Sequence, residues 1–179
     1  NTPTDSTVHE PLSVGKGGVT EQLENIAKSL KTDGRKLVVE GDIVINSRSD
    51  RRGASGLANR TGSVSLIYIV LEPKLDRIDP RFAHHLVRST AFQDEFYRFG
   101  TGIVADLWST RYERMSQIRI PLPPLESQQR IADYLDRETA EIDAAVADLD
   151  RYVELLKKRR QVLITEAIDS FSPGSLTKT

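Results

Sequence analysis

The chain has 179 residues, 38% of them hydrophobic and 28% charged, with a net charge of −1. That length suits one compact domain or a small domain with an extension, and the overall charge does not announce nucleic acid. The absence of cysteine excludes a disulfide framework and a cysteine-based metal centre. No apolar run approaches the roughly 18 residues needed to span a membrane, and no signal peptide is visible, so the expected location is the cytoplasm.

Residues 1–11 are polar and read as irregular. Leu12 to Val14 suit a short strand leading into Gly15, Lys16, Gly17 and Gly18, which lack the Gly-Lys-Ser/Thr spacing of a phosphate loop. Leu23, Ile26, Ala27 and Leu30 recur at helical spacing, so a helix is expected over 20–30, closed by the turn pair Asp33 and Gly34. Leu37 to Val39 and Asp42 to Ile45 are β-rich runs on either side of Glu40 and Gly41. A polar, arginine-rich loop follows from Asn46 to Gly56. Ser63 to Leu71 is the strongest strand signal, and Pro73 ends it.

Asp79 before Pro80 predicts an N-cap with proline at the first helical position. Thr90 to Gln93 matches a capping box for a second helix, which Gly100 would stop. A loop with Asp106, Trp108 and Arg111 comes next, with Trp108 expected in the core, and Gln117 to Ile120 reads as a last strand. The expected fold class is therefore α/β (α+β). A small mixed domain over 1–120 precedes one long helical segment over 121–170 and a flexible tail over 171–179.

No catalytic constellation emerges. His84 and His85 are adjacent, so on a helix they point in different directions and cannot share a metal; they read as ordinary helix residues. No metalloenzyme spacing or nucleophile motif is present, so no cofactor and no metal is expected. The arginine loop is the better candidate. Arg48, Arg51, Arg52 and Arg60 face only Asp50 between residues 48 and 60. Guanidinium forks suit phosphates and guanine edges, and Asn46, Ser47, Ser49 and Ser55 add short hydrogen-bonding groups. The plain alternative is a solvated charged loop. Lys16 and Arg111 are weaker additions.

After Pro124 no proline or glycine occurs until Pro173. Ile131, Leu135, Ile142, Val146, Leu149, Val153, Leu156, Leu163 and Ala167 recur at three- and four-residue steps. That seam predicts one helix of roughly forty residues, about 60 Å long, offering its apolar edge to another helix. Two seam positions are charged, Glu138 and Arg160. In an antiparallel pair centred on Leu149, Glu138 faces Arg160, Leu135 faces Leu163, Ile142 faces Leu156 and Ile131 faces Ala167. Val146 then faces Tyr152, beside Val153. A parallel pair would set like charges against each other, so the antiparallel register is expected.

Ile118 to Asp136, then Ile142 with Asp143 and Leu155 to Ile164, resembles the conserved helix of type I restriction-modification specificity subunits. Glu10 to Val14, Gly41 to Arg48, Gly53 to Gly56, Asp79 to Phe82 and the segment from Gly102 to Trp108 look like landmarks of that family's target-recognition domain. The resemblance implies a non-catalytic subunit that reads double-stranded DNA and directs modification (methyltransferase) subunits and, through the complex, a restriction subunit. A full subunit of that family has two recognition domains and two antiparallel helices. This chain has one of each, which implies a half-subunit or fragment and, for a half-subunit, an antiparallel homodimer. A scaffolding coiled coil without DNA binding is the rival reading.

Overall fold

The structure is a computed structural model that describes residues 3–4, 9–21, 34–48, 52–103 and 108–170. It divides into two compact units, Asn1–Asp133 and Tyr134–Thr179.

The described residues of the first unit form eight short strands: β1 (Pro3–Thr4), β2 (Leu12–Gly15), β3 (Gly18–Glu21), β4 (Arg35–Val38), β5 (Ile43–Asn46), β6 (Ser55–Leu57), β7 (Gly62–Val64) and β8 (Tyr68–Leu71). Helices α1 (Pro80–Arg88), α2 (Thr90–Arg98) and α3 (Tyr112–Met115) follow, and α4 (Leu125–Ser170) begins in this unit. All strand pairs are antiparallel, in three small sheets ordered β1-β4-β7, β2-β3 and β6-β5-β8.

β5 is central. All four of its residues are buried: the apolar Ile43–Ile45, as expected of a strand covered on both faces, and the polar Asn46. Val44 points into a cluster with Leu12, Val14, Val38, Val64 and Val70. Ile43 and Ile45, of opposite parity, point into a second cluster with Ile69, Ala83, Val87 and Met115. The two-residue period thus divides the core, with strands over one face and helices over the other.

Sequence periodicity and the observed elements part at several places. The strand expected over Ser63–Leu71 is two strands, because the chain changes sheets: β7 pairs with β4 and β8 with β5. Between them Tyr68 N donates to Ser65 O at 3.1 Å, and Leu66 and Ile67 are exposed. Thr20 and Glu21, expected to open a helix, instead pair with Ser13 and Leu12 in the β2-β3 hairpin; Leu23, Ile26, Ala27 and Leu30 lie outside the described residues. Gln117 to Ile120 form no strand, since Gln117 N and Ile118 N are spent on Arg114 O and Met115 O in turns continuing from α3. Pro3 and Thr4, read as irregular, pair with Lys36 and Arg35.

The helix starts follow their caps. Asp79 Oδ1 accepts from Arg81 N and Phe82 N, with Pro80 at the first helical position. The second helix starts one residue earlier than its capping box implied. Ser89 is the N-cap and accepts from Phe92 N, while Gln93 turns away to donate to Arg88 O at 2.6 Å.

α4 becomes helical at Leu125, with Pro124 O accepting from Ser127 N and Gln128 N. Prolines lack the N–H and disfavour helical geometry before them, so 121–124 stay outside it. Gln128 and Ala132, one turn apart, are fully buried. Gln128 Oε1 accepts from Asp79 N at 2.9 Å, and its Nε2 donates to Arg77 O at 3.0 Å and Pro123 O at 2.7 Å.

In the second unit every residue from 139 to 170 is exposed, including the whole apolar seam there; Leu149 is 64% and Ile142 61% accessible. Ion pairs such as Lys157–Glu154 at 2.7 Å and Arg151–Asp148 at 3.2 Å lie along it. Each such pair is worth about 0.2–0.5 kcal/mol, far less than burial of the seam would contribute. Residues 171–179 lie outside the described residues.

Two stability experiments follow from these contacts. Gln128→Ala strands the buried Asp79 N–H and the Arg77 carbonyl, so chemical denaturation should show a loss of about 2–4 kcal/mol; a loss under about 0.5 kcal/mol would refute the clamp. Burial raises the carboxyl pKa of Asp42, against the opposing hydrogen bond from Val39 N. A raised folded pKa means the charged form is disfavoured on folding, so the penalty appears as pH rises through it. Asp42→Asn keeps an acceptor for Val39, and its melting temperature relative to the native chain should therefore climb between about pH 3.5 and 7. A flat difference would contradict this.

Candidate nucleic-acid interface

The arginine loop hangs between β5 and β6 and is closed at its neck, where Asn46 N donates to Ala54 O at 2.8 Å. Asn46 is buried, and its Oδ1 accepts from Arg48 N at 3.0 Å, an Asx-type turn. Its carbonyl oxygen is therefore occupied by the loop's own backbone. Ser47 O accepts from Thr110 N at 2.9 Å. Gly53 has φ 79°, a left-handed conformation that favours glycine, and a Cβ there would stand 3.1 Å from Gln93 Oε1, which would have to shift by a few tenths of an ångström.

A second wall comes from α2 and the segment after it. Tyr97 and Trp108 stack with ring centroids 5.7 Å apart and planes 28° from parallel. Trp108 Nε1 donates to Tyr97 O at 3.0 Å, which fixes the indole. Gly100 makes room for it, since a Cβ there would lie 2.1 Å from Nε1. Thr101 and Ser109 exchange backbone hydrogen bonds of 2.9 and 3.0 Å, and buried Thr110 donates its hydroxyl to Phe96 O at 2.6 Å. Trp108 is thus half-buried at the rim rather than in the core, and Asp106 lies outside the described residues.

Between these walls lies a cleft that gathers Asn46, Ser47, Arg48 and Arg52 with Tyr97 and Trp108. Arg48 is exposed, and its backbone bridges to Ser109. Arg52 pairs with Asp94 and lies over the Tyr97 ring at 5.5 Å. Arg51 lies outside the described residues. Arg111 is exposed on an adjoining groove that shares Ser47 and includes Lys36. Burial lowers the Lys36 pKa, and its ammonium donates to Tyr68 O at 2.5 Å.

Two candidates stand apart from the cleft lining. Arg60 is ion-paired with Glu21 of β3, and Lys16 is exposed in the β2-β3 turn. Sequence reasoning missed Gln93, Asp94 and Tyr97. Their three- and four-residue spacing puts them on one face of α2, but nothing in the sequence says which loop that face meets. His84 has a structural part: its Nδ1 accepts from Leu57 N at 3.0 Å, and its ring meets His85 edge-on. Among the described residues no cluster of His, Asp and Glu could hold a metal ion. Among the described residues no helix is long and apolar enough to cross a membrane.

The described residues offer forked cations, short polar groups and aromatic faces. The chain's likeness to known proteins agrees with that chemistry. A family model described as the type I restriction modification DNA specificity domain matches residues 13–148, which include the loop, the cleft and the start of α4. The type I restriction enzyme EcoKI specificity subunit of Escherichia coli K12 is 27% identical over 164 residues, 89% of this chain and 34% of that protein. The StySPI specificity subunit of Salmonella potsdam is 26% identical over 163 residues, covering 88% and 34%. The chain therefore spans about a third of the length of these curated relatives. Among solved structures, the HsdS subunit of Thermoanaerobacter tengcongensis superposes with a TM-score of 0.59 at 18% identity, covering 99% of this chain and 47% of that one. A chain from a structure of the type I R-M system superposes with a TM-score of 0.64 at 17% identity, again covering 99% and 47%. The fold is thus shared with these subunits, and with the family model spanning most of its length, the chain belongs to the type I restriction-modification DNA specificity domain family.

Proposed function

We propose that this chain recognises double-stranded DNA as the specificity element of a type I restriction-modification complex. In this reading it is not itself catalytic and acts in the cytoplasm. It brings modification (methyltransferase) subunits, and through the complex a restriction subunit, to a bipartite target. The observation that carries the reading is the family match over residues 13–148. The gathering of Arg48, Arg52, Asn46 and Ser47 in one cleft supports it, because guanidinium forks and short polar groups are the side chains that hold phosphates and base edges. Arg51, Arg111, Lys16 and Arg60 are proposed as further phosphate contacts around it.

The same reading assigns the exposed seam of α4 to an antiparallel partner helix. For a half-subunit that partner is a second copy, with Glu138 against Arg160 and Leu149 at the centre. A helix of 46 residues is about 70 Å long, more than one turn of DNA, so a paired arm of this kind can serve separated half-sites.

Electrophoretic shifts with the full chain, with and without a modification subunit, test the DNA reading. Affinity for duplex DNA should fall steeply with salt, and Arg48→Ala should reduce the log–log salt slope by about one if Arg48 touches a phosphate. Salt-insensitive behaviour, or no binding in either setting, would leave the scaffolding reading standing. Sedimentation tests the arm: Glu138→Arg should weaken self-association, and adding Arg160→Glu should restore it. A double variant no tighter than the single one would refute the register.

A further inference from the structure

Arg52 differs from a plain surface cation in being restrained twice. Asp94 Oδ1 accepts from its Nη2 in an ion pair, and the Tyr97 ring lies against its guanidinium at 5.5 Å. Asp94 and Tyr97 are three residues apart on α2, so one helix face presents both the carboxylate and the ring. Tyr97 is itself fixed by its stack on Trp108, and Trp108 by its bond to Tyr97 O and by the space at Gly100. The restraint therefore runs back to the folded body of the unit.

An exposed ion pair of this kind contributes little to stability, and Arg52 and Asp94 keep side-chain accessibilities of 46% and 59%. Stability does not explain the arrangement. A phosphate is the poorer match, because Asp94 subtracts the charge on which a phosphate contact depends. A planar group held in one orientation, with one of its two forked donor edges (Nη1–Nη2 or Nε–Nη2) left open beside the single Asp94 contact among the described residues, suits a planar edge carrying two acceptors. In the major groove that edge is O6 and N7 of guanine. We infer that Arg52 reads a guanine edge and that Asp94 and Tyr97 are positioning residues that aim it, an inference resting on the DNA reading above.

The test selects binders from duplexes randomised over about ten base pairs, one helical turn, with the full native chain and its variants. The native chain should enrich a sequence containing a guanine at a fixed position. Asp94→Asn should lower the preference at that one position by about five- to 150-fold while leaving the other positions unchanged. Arg52→Lys, which keeps the charge and loses the fork, should lose the same position and retain the salt slope. Asp94→Glu should restore most of the preference, which a merely structural role would not require. Equal enrichment by Asp94→Asn and the native chain would overturn this inference alone, as would a uniform loss across all positions. No enrichment by the native chain together with no salt-sensitive binding would overturn the DNA reading and this inference with it.

Discussion

One buried carboxamide joins the parts of the first unit. Gln128 spends its oxygen on Asp79 N and its amide on the Arg77 and Pro123 carbonyls. Asp79 is the residue whose side chain caps α1, so the same short stretch receives the first turns of α4 and opens the helix that covers β5. A glutamine is suited to this because a carboxamide donates and accepts at once, and a carboxylate or a hydrocarbon would leave buried backbone groups unpaired. Arg81 adds an ion pair to Asp133 at 2.7 Å across the same contact. The prolines before α4 bring the chain to this point with no N–H of their own to satisfy.

The cleft depends on that body at one remove. α2 follows α1 directly, with Ser89 ending one helix and capping the next. The face of α2 that carries Gln93, Asp94 and Tyr97 is thereby set against the loop leaving β5. At the ends of the loop Asn46 is buried with its Oδ1 on Arg48 N and Gly53 has a positive φ, while Arg48 is exposed. Rigid elements hold the base of the cleft and loops supply its cations, the usual division between scaffold and recognition.

The cations met different fates for reasons that lie in tertiary structure. Arg52 found Asp94 and Tyr97 on α2, and Arg60 found Glu21 on β3. Both partners are distant in sequence, and a window of local charge counts only Asp50 against four arginines. Local counting therefore overstates the free positive charge of the loop.

What the sequence determined by itself was whatever depends on neighbours a few residues apart. The capped start of α1 at Asp79 and Pro80 was legible because an N-cap acts within three residues, and the long α4 because its apolar steps persist without proline or glycine. The motif residues Ile118 to Asp136, with Ile142, Asp143, Leu155 to Ile164 and the upstream landmarks, also indicated the family. Tertiary structure decided where strands stopped and which faces met. Ser63 to Leu71 has uniform β propensity, yet it splits because its two halves hydrogen-bond in different sheets. Gln117 to Ile120 alternates like a strand but turns after α3. Propensity is a property of a residue and its neighbours, whereas a strand exists only when another strand supplies its hydrogen bonds, and a cleft only when two distant segments are packed together.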